Sequence, residues 1–267
     1  MTDTEVRALI LTQGGALFRD MPWRQDISAY SVLVSEIMLQ QTQVERVRVK
    51  YDEFMKKFPT IIQLAEASLA DVLKVWQGLG YNRRAKYLHE TAKIVTKYHA
   101  GSIPNTYDEL IHLPGIGPNT AGAICAYAYN HPAIFIETNI RTVLIHHCFA
   151  DKITVDDKQI KLKLEQLIDR QHPREFYWAL MDYGSWLKQS GVKNNQRSKH
   201  YKKQTPLKGS VREVRGHIIR ELVTSPLSFG QLRKQCDKKD GRFEIAFAQL
   251  LDEKLIQDTG KIVHLTK

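Results

Sequence analysis

The stretch Leu113-Pro-Gly-Ile-Gly-Pro-Asn-Thr-Ala-Gly-Ala-Ile124 decides the fold, and Glu137-Thr-Asn139 follows it thirteen residues later. Tyr107 and Leu110 share one face of a short helix, which Pro114 must end because proline lacks the backbone N–H that a helix needs. The Gly-X-Gly that comes next predicts a tight turn, and the residues after it predict a second helix. The sequence therefore predicts two helices joined by a hairpin, with a carboxylate beyond the second helix.

Two glycines and two polar residues suit this hairpin to an anionic partner. Gly115 and Gly117 let the backbone approach a partner with no side chain in between. Asn119 and Thr120 are placed to cap the second helix, whose first amides would then point outward as an anion site. A nucleic-acid phosphate fits that geometry. A lone Gly-X-Gly is weakly specific, however, and an ordinary connection between two helices remains the alternative.

The composition agrees with a nucleic-acid partner. The 267-residue chain carries 39 Lys and Arg against 29 Asp and Glu, a formal charge of +10, and its pI is near 9.4. Its three scattered cysteines form neither a disulfide framework nor a metal spacing. No stretch reaches the ~20 apolar residues of a membrane span, and no signal peptide is evident. We therefore expect a cytoplasmic monomer without membrane contacts, nucleoid-associated if the source is prokaryotic.

Several motifs in the N-terminal half carry a resemblance to a known family. They are Met21-Pro-Trp-Arg24, Ser35-Glu-Ile-Met-Leu-Gln-Gln-Thr-Gln-Val44 and Gly78-Leu-Gly-Tyr81. Together with the hairpin and the carboxylate after it, they resemble the corresponding segments of the helix-hairpin-helix (HhH-GPD) DNA glycosylases. The match is closest to their MutY-like adenine glycosylase branch, and it runs from Arg19 to Leu187.

The chain divides into a large helical part and a basic segment. Apolar residues recur at i, i+3, i+4 and i+7 in the first part, which agrees with the two-lobed, all-α glycosylase domain that the resemblance implies for residues 1–188. Residues 189–210 contain no acidic side chain and predict a flexible basic linker in place of the family's iron–sulfur loop. This linker is either a solvated connector or a segment that follows a phosphate backbone through Lys199, Lys202 and Lys203.

Residues 211–267 predict a small α+β domain of their own. Amphipathic segments that begin near Val211, Ser228 and Arg242 predict three helices. The alternation in Leu255–Leu265, around an Asp-Thr-Gly turn, predicts a two-stranded hairpin. This order resembles a winged helix-turn-helix, which either binds DNA or packs on a neighbouring domain.

Two glutamates are candidates for the reaction that the resemblance implies, the removal of a base from deoxyribose. The departing base needs a proton, and the sugar, which gains oxocarbenium character, needs a nearby carboxylate. Glu36 lies in an apolar helical segment where burial would raise its pKa, and by resemblance it protonates the purine. Glu137 stands where the family has aspartate, and its additional methylene displaces the carboxylate, which puts the rate or the substrate in doubt. Asn139 matches the family's asparagine, which would contact the carboxylate or the sugar.

The resemblance also assigns residues to base extrusion and to DNA contacts. Asn119 occupies the catalytic position where lyase-active relatives have a lysine, and it cannot form a Schiff base, so we expect a monofunctional glycosylase. Gln41 would enter the duplex beside the target base, while Leu79 and Tyr81 would intercalate near the opposite base. For Leu79 and Tyr81, packing in the core is the alternative. The remaining DNA contacts implied by the resemblance are Arg19, Trp23 (an apolar wall for adenine), Thr42, Leu113, Gly115, Gly117 and Thr120.

The resemblance does not extend to the family's cofactor or to its C-terminal domain. An iron–sulfur loop would begin near Lys188, but no cysteine occurs from there to Cys236, and the cluster needs four thiolates. We expect no cofactor apart from a main-chain potassium or sodium ion at the Gly115–Gly117 hairpin. The Nudix-like domain that recognises 8-oxoguanine in this family is expected to be absent, because only 57 residues follow Ser210.

Three functional hypotheses remain. The first is a monofunctional glycosylase that removes adenine opposite guanine or 8-oxoguanine from duplex DNA during base excision repair. The second keeps the reaction but changes the base to thymine or uracil opposite guanine, or to a modified base, which the departures at Asn119 and Glu137 favour. The third is a protein that binds DNA lesions without cutting.

Overall fold

The computed structural model describes residues 1–201, 205–236 and 240–266, and this part of the chain is mainly helical. The helices of the first 201 residues are α1 (Asp3–Ala16), α2 (Pro22–Gln25), α3 (Ala29–Leu39), α4 (Val44–Lys57), α5 (Ile61–Glu66), α6 (Leu69–Val75), α7 (Arg83–Tyr98), α8 (Tyr107–Leu110), α9 (Pro118–Tyr127), α10 (Thr138–Cys148), α11 (Asp157–Leu167) and α12 (Pro173–Gln189). A 3₁₀ turn follows at Asn194–Arg197, and the chain continues with α13 (Val211–Thr224), α14 (Phe229–Cys236), α15 (Arg242–Asp252), β1 (Ile256–Asp258) and β2 (Val263–Leu265). The all-α prediction is confirmed. Among the described helices, none has the length and apolar character of a membrane span.

The chain forms two compact units, each of which is built from three separate segments of the sequence. Unit 1 consists of Met1–Glu36, Asn105–His112 and Ile116–Lys203, and unit 2 consists of Ile37–Pro104, Leu113–Gly115 and Gln204–Lys267. Residues 211–267, predicted as a separate domain, therefore belong to the same unit as Ile37–Pro104. The sequence could not show this, because the residues that join the two segments are far apart along the chain.

In unit 1, α12 is the central helix, and α1 and α10 pack against it. Glycine allows both close approaches: a Cβ at Gly184 would lie 2.3 Å from the carbonyl oxygen of Asn139, and a Cβ at Gly14 would lie 2.3 Å from the Cα of Ala179. A larger residue at either glycine would push the helices apart. The start of α10, which follows directly on Glu137, is thus held tightly against α12.

Unit 2 contains a core of helices around Trp76 and a C-terminal portion around Phe229, Phe243 and Phe247. The Trp76 ring meets the Phe54 ring edge to face at 5.9 Å, and α7 packs on α5 and α6 through its apolar face. In the C-terminal portion α13 packs on α14 and α15, and β1 pairs with β2 as an antiparallel hairpin in which Ile256 faces Leu265. The predicted order of three helices and a hairpin is confirmed.

The described part of the predicted linker, Gly191–Tyr201, makes defined contacts with neighbouring residues of unit 1, and its flexibility stays a prediction. Arg197 donates hydrogen bonds to the carbonyl oxygens of Phe149, Ala150 and Lys152. The backbone of Ser198 forms a parallel bridge with Val155. The basic composition suggested a solvated chain, but one arginine satisfies the carbonyls of a neighbouring turn and fixes this segment in place. Lys202 and Lys203, predicted to follow a phosphate backbone, lie outside the described residues.

Candidate active site

The two glutamates predicted to do the chemistry lie together in unit 1. Glu36 is on α3 between buried apolar neighbours, and Glu137 is the N-cap residue of α10. Burial raises the pKa of Glu36 well above its usual range, and the charge of Glu137 raises it further, while Arg24 opposes the shift. Both side chains nevertheless keep an intermediate exposure to solvent. Because they are surrounded by protein and still accessible, a substrate can reach them.

The two carboxyl groups differ in which of them holds the proton. Burial also raises the pKa of Glu137, but Arg141 and Lys188 counteract this effect and stabilise its anion. Glu36 is balanced only by Arg24 and is destabilised as an anion by Glu137. We therefore assign the proton of this pair to Glu36 and the negative charge to Glu137. Two carboxyl groups whose environments separate their protonation in this way can serve as acid and stabilising anion.

Tyr127 is a third group near this pair, and it was missed in the sequence. Its side chain is buried at the end of α9, and burial, followed by the charges of Glu137 and Glu36, raises its pKa well above the usual range. The phenol therefore stays protonated and is available as a hydrogen-bond donor. No sequence signal indicates it, because a tyrosine at the end of an apolar helix is most simply explained as a core residue.

A buried carboxylate anchors the N-terminal arm beside the glutamates. The Asp182 side chain is fully buried and accepts hydrogen bonds from Arg24 Nη1 at 2.6 Å and Arg19 Nε at 2.6 Å. Arg24 also lies 5.2 Å from the centroid of the Phe18 ring. Arg19 thus has an internal structural role, and its predicted contact with DNA stays a prediction. Trp23, between them, is buried, and its role as a wall for adenine stays a prediction.

Asn119 positions the residue before Glu137 and does not cap α9. Its Nδ2 donates to the Ile136 carbonyl oxygen at 2.8 Å, and its Oδ1 accepts from the Ile136 amide at 3.3 Å. The N-cap of α9 is Gly117, without a side-chain hydrogen bond, so the predicted capping by Asn119 is wrong. With Pro118 as the first helical residue, Asn119 lies inside the helix and turns its amide to the neighbouring extended chain. These two bonds give Asn119 a positioning role, and its assignment to the catalytic residues stays a prediction.

Asn139 faces α12. Its Nδ2 donates to the carbonyl oxygen of Met181 at 3.1 Å. The Oδ1 atom is buried, and no described residue donates a hydrogen bond to it. The Nδ2 group has a second hydrogen to donate, so the predicted contact between Asn139 and the carboxylate of Glu137 stays a prediction. A contact between the Oδ1 atom and a sugar stays a prediction.

The residues of unit 2 that are predicted to enter the DNA duplex, Gln41, Leu79 and Tyr81, fall into two classes. Gln41 is exposed and Tyr81 keeps 36% of its surface exposed. Both adopt left-handed backbone, with φ of 55° and 48°, a conformation that costs non-glycine residues roughly 1–3 kcal/mol and is common at binding loops. Leu79 is only 3% exposed, so its assignment as a wedge is wrong. Gly78 and Gly80, with φ of 94° and 71°, turn the loop so that Leu79 packs inward.

Arg84 joins the loop that contains Gln41 to the loop that contains Tyr81, and the sequence analysis did not identify it. Its buried guanidinium donates hydrogen bonds to the carbonyl oxygens of Ile37, Met38, Gln40, Leu79 and Gly80 and to the hydroxyl of Thr42. Burial lowers the pKa of Arg84 to about 10, so it remains charged at neutral pH. Thr42, predicted as a DNA contact, is used in this internal network. The signal that could have revealed Arg84 is its place on the apolar face of α7, in line with Leu88 and Val95.

The hairpin is held against α7 within unit 2. Gly115 has a φ of 76°, and a Cβ there would lie 2.7 Å from the Cβ of Tyr87. Its carbonyl oxygen accepts from Gln40 Nε2 at 3.3 Å, and that of Pro114 accepts from Thr91 Oγ1 at 2.9 Å. Because these two carbonyls already have donors, the geometry does not strengthen the prediction of a main-chain cation.

The remaining predicted contacts have mixed outcomes. Leu113 is buried, so its side chain cannot contact DNA, whereas Gly117 is exposed and Thr120 half-buried at the start of α9. Lys199 is exposed and lies 3.7 Å from Asp156. These positions leave backbone contacts at the hairpin and a phosphate contact by Lys199 as predictions.

An iron–sulfur cluster does not fit the cysteines of this chain. Cys125 and Cys148 lie on α9 and α10 of unit 1, and Cys236 ends α14 of unit 2. Within the described ranges, no three His, Cys, Asp or Glu side chains are grouped as a metal site. Three thiols are one too few for the usual four-cysteine cluster.

Comparisons with known proteins agree with this geometry. The family model described as "HhH-GPD superfamily base excision DNA repair protein" matches residues 34–170. The adenine DNA glycosylase of Buchnera aphidicola subsp. Baizongia pistaciae is 39% identical over 173 residues, which cover 63% of this chain and 48% of that protein. For the human adenine DNA glycosylase the identity is 39% over 179 residues, covering 62% of this chain and 33% of that protein. The chain thus spans about half, or less, of the length of these relatives. The resemblance to the adenine branch is confirmed.

Solved structures share the fold at low sequence identity. A thermostable thymine-DNA glycosylase superposes with a TM-score of 0.61 at 22% identity, covering 74% of this chain and 97% of that one. A trapped endonuclease III–DNA covalent intermediate gives a TM-score of 0.57 at 17% identity, covering 77% of this chain and 91% of that one. At these identities the likeness concerns the fold alone.

Proposed function

This chain belongs to the HhH-GPD superfamily of base excision DNA repair proteins, and from that premise we propose that it is a DNA N-glycosylase acting on adenine opposite guanine or 8-oxoguanine in duplex DNA. One observation carries the proposal: Glu36 and Glu137 lie together in unit 1, where burial raises the pKa of both carboxyl groups and the charge of Glu137 raises that of Glu36 further. Similarity to adenine DNA glycosylases supports the choice of base.

The proposed reaction uses the two glutamates in sequence. Glu36 transfers its proton to a ring nitrogen of the extruded adenine, and the electron pair of the glycosidic bond leaves with the base. The positive charge that develops on the sugar is stabilised by the carboxylate of Glu137. Water then adds to C1′ and transfers a proton to the Glu36 carboxylate, which restores the acid, so that free adenine and an intact abasic strand are the products. The Tyr127 phenol stays neutral near the pair, because burial and the charges of Glu137 and Glu36 raise its pKa.

We propose that the enzyme is monofunctional and works without an iron–sulfur cluster. The amide of Asn119, at the position of the lyase lysine, is committed to Ile136 and cannot form an imine. The nearby amine that acts on Glu137 electrostatically is Lys188. Borohydride should therefore trap no covalent complex with an abasic duplex. If trapping occurs and Lys188→Ala abolishes it, the lyase part of this proposal is wrong. Iron and sulfide analysis of the purified protein tests the absence of a cluster.

The decisive experiment is single-turnover base release from duplexes with A:8-oxoguanine, A:G, T:G and U:G pairs. Wild type is compared with Glu36→Gln, Glu137→Gln and, as a surface control in unit 1, Glu165→Gln, an exposed residue of α11. We expect release of adenine alone, lost in the first two variants and kept in the control.

A second candidate function is favoured by Glu137 itself, which is one methylene longer than the family's aspartate. A longer side chain shifts the carboxylate relative to the sugar and suits a differently placed base. Release of thymine or uracil in place of adenine would support this candidate. Tight mismatch binding with no release from any duplex would indicate a lesion-binding protein.

A further inference from the structure

Tyr81 is the exposed residue of unit 2 that is predicted to intercalate near the opposite base. It is held by two arginines from different parts of the chain. The guanidinium carbon of Arg84 lies 5.5 Å from its ring centroid, and that of Arg212, on α13, lies at the same distance of 5.5 Å. Arg212 Nη1 also donates a hydrogen bond to the Tyr81 hydroxyl. The ring and the hydroxyl of Tyr81 are therefore both fixed, although the backbone adopts the unfavourable left-handed conformation.

Arg212 is itself fixed, so it can impose an orientation on Tyr81. Its Nη2 donates to the carbonyl oxygen of Thr205 at 2.6 Å and to the Thr205 hydroxyl at 3.2 Å. Helix α13, which carries Arg212, packs against α6 in the same unit. A planar guanidinium held at several points is more rigid than a lysine ammonium would be.

A second set of contacts attaches the C-terminal helices to α7, directly after Tyr81. The Glu253 side chain at the end of α15 is 11% exposed and accepts hydrogen bonds from Arg83 and Arg215. Its backbone carbonyl accepts from Lys86 Nζ at 2.6 Å. Burial alone would raise the pKa of Glu253, but the hydrogen bonds from the two arginines outweigh it and hold the pKa below its usual range. Glu253 thus stays ionised at neutral pH and joins α15 and α13 to the first turn of α7.

We propose that the C-terminal helices act as a positioning element for DNA recognition: Arg212 presets the ring of Tyr81 for insertion beside the base opposite the target, and Glu253 keeps Arg212 in place. The inference rests on the proposed function, since it assigns the C-terminal part to the same reaction. Arg212 is a positioning residue here, because its contact is with Tyr81 and not with the reacting atoms. Two cationic side chains, Arg84 and Arg212, lie over the Tyr81 ring, and positive charge at this position suits an anionic phosphate backbone.

The test combines one measurement without DNA and two with DNA. Hydrogen exchange of residues 76–84 in the free protein reports the order of the loop. Fluorescence of 2-aminopurine placed opposite the target reports insertion, and single-turnover rates at saturating DNA report the reaction. The variants are Arg212→Ala, Arg212→Lys and Glu253→Gln, with Arg220→Ala as a matched control, because Arg220 is an exposed arginine on the same helix.

We expect Arg212→Ala and Glu253→Gln to speed exchange of the loop and to reduce insertion. Base release should fall by roughly tenfold or more, in line with the cost of misplacing a group by a fraction of an ångström. Arg212→Lys should keep affinity but recover only part of the rate, and Arg220→Ala should match wild type. Tyr81→Phe should make the loss from Arg212→Ala smaller, because the two changes remove the same hydrogen bond.

The inference and the proposed function can fail separately. If Arg212→Ala gives the same exchange and the same 2-aminopurine signal as Arg220→Ala, the positioning role is wrong even if adenine is released. If wild type releases no base but the exchange and insertion differences appear, the positioning role holds and the proposed reaction fails. If Arg212→Ala does not fold, Arg212→Lys decides by the same two readouts.

Discussion

Replacing Gly184 with alanine tests whether the contact between α10 and α12 sets the position of Glu137. The new Cβ would lie 2.3 Å from the carbonyl oxygen of Asn139 and 2.8 Å from its carbonyl carbon. These are backbone atoms, so no change of side-chain rotamer relieves the overlap. Glu137 is the N-cap of the same helix, two residues before Asn139. Any movement of this helix end therefore carries the catalytic carboxylate with it.

The geometry sets the size of the effect. Ordinary van der Waals contact begins at 3.4 Å, so the helices must separate by about 1.1 Å at Gly184. Overpacking of this kind costs roughly 1–3 kcal/mol of unfolding free energy. In a chain of this size each kcal/mol lowers Tm by roughly 2–4 °C. A displacement of about 1 Å at a catalytic group can reduce the rate by ~10²-fold. We expect both losses together.

Thermal unfolding and single-turnover adenine release measure the two effects on the same protein. Gly216→Ala in α13 is the matched control, because a Cβ there meets no heavy atom within 4 Å. It should raise stability by up to about 1 kcal/mol through helix propensity and leave the rate unchanged. If Gly184→Ala lowers Tm but releases adenine at the wild-type rate, this contact does not position Glu137. If Tm is also unchanged, the helix packing described above is wrong.

The remaining predictions concern the carboxylates, Arg84 and Asn119. Glu36 and Glu137 have higher pKa values in the folded protein than the value of 4.5 for a free glutamate, so the folded state binds more protons than the unfolded state. The free energy of unfolding should therefore fall as the pH rises from 4.5 to the folded pKa values. Urea titrations across pH should show a smaller fall for Glu36→Gln, and identical profiles would contradict the assignment. Adenine release should likewise decline as Glu36 loses its proton. Arg84→Gln leaves a buried cluster of carbonyl acceptors without its cation and should lower the free energy of unfolding in urea by about 3–5 kcal/mol. The stability of Arg84→Lys should lie between those of wild type and Arg84→Gln. A loss below about 1 kcal/mol for Arg84→Gln would refute the network. Asn119→Ala should slow base release while leaving duplex affinity within about twofold, as its contact is with the Ile136 backbone; a loss of affinity alone would indicate a DNA contact instead.

The sequence was informative wherever a residue type is constrained locally. The hairpin glycines, the helical periodicity and the C-terminal order of helices and strands follow from backbone conformation and hydrophobic spacing, and the structure confirms them. Glu36 could be recognised because a carboxylate within an apolar helix is unusual. Its raised pKa has the expected cause, burial.

The wrong predictions share a physical reason, since each concerned which way a side chain points. Leu79 was expected at an exposed loop tip, but the turn at its flanking glycines directs it into the core. Thr42 and Arg19 each bind a buried charged group of the protein itself, a role that the motif did not indicate, and their contacts with DNA stay predictions. A sequence motif shows which residues are present, but it does not show which buried group each of them binds.

By itself, the sequence determined the helical fold, the family resemblance and the two glutamates, because helix periodicity, turn chemistry and motif spacing are local properties of the chain. Only the tertiary structure decided that burial and Glu137 together raise the pKa of Glu36, that Arg84 joins the loops of Gln41 and Tyr81, and that Arg212 and Glu253 bring the C-terminal helices to Tyr81. These results depend on charges and hydrogen bonds between residues that are far apart in the chain, and their energies are set by burial, which arises only when the chain has folded.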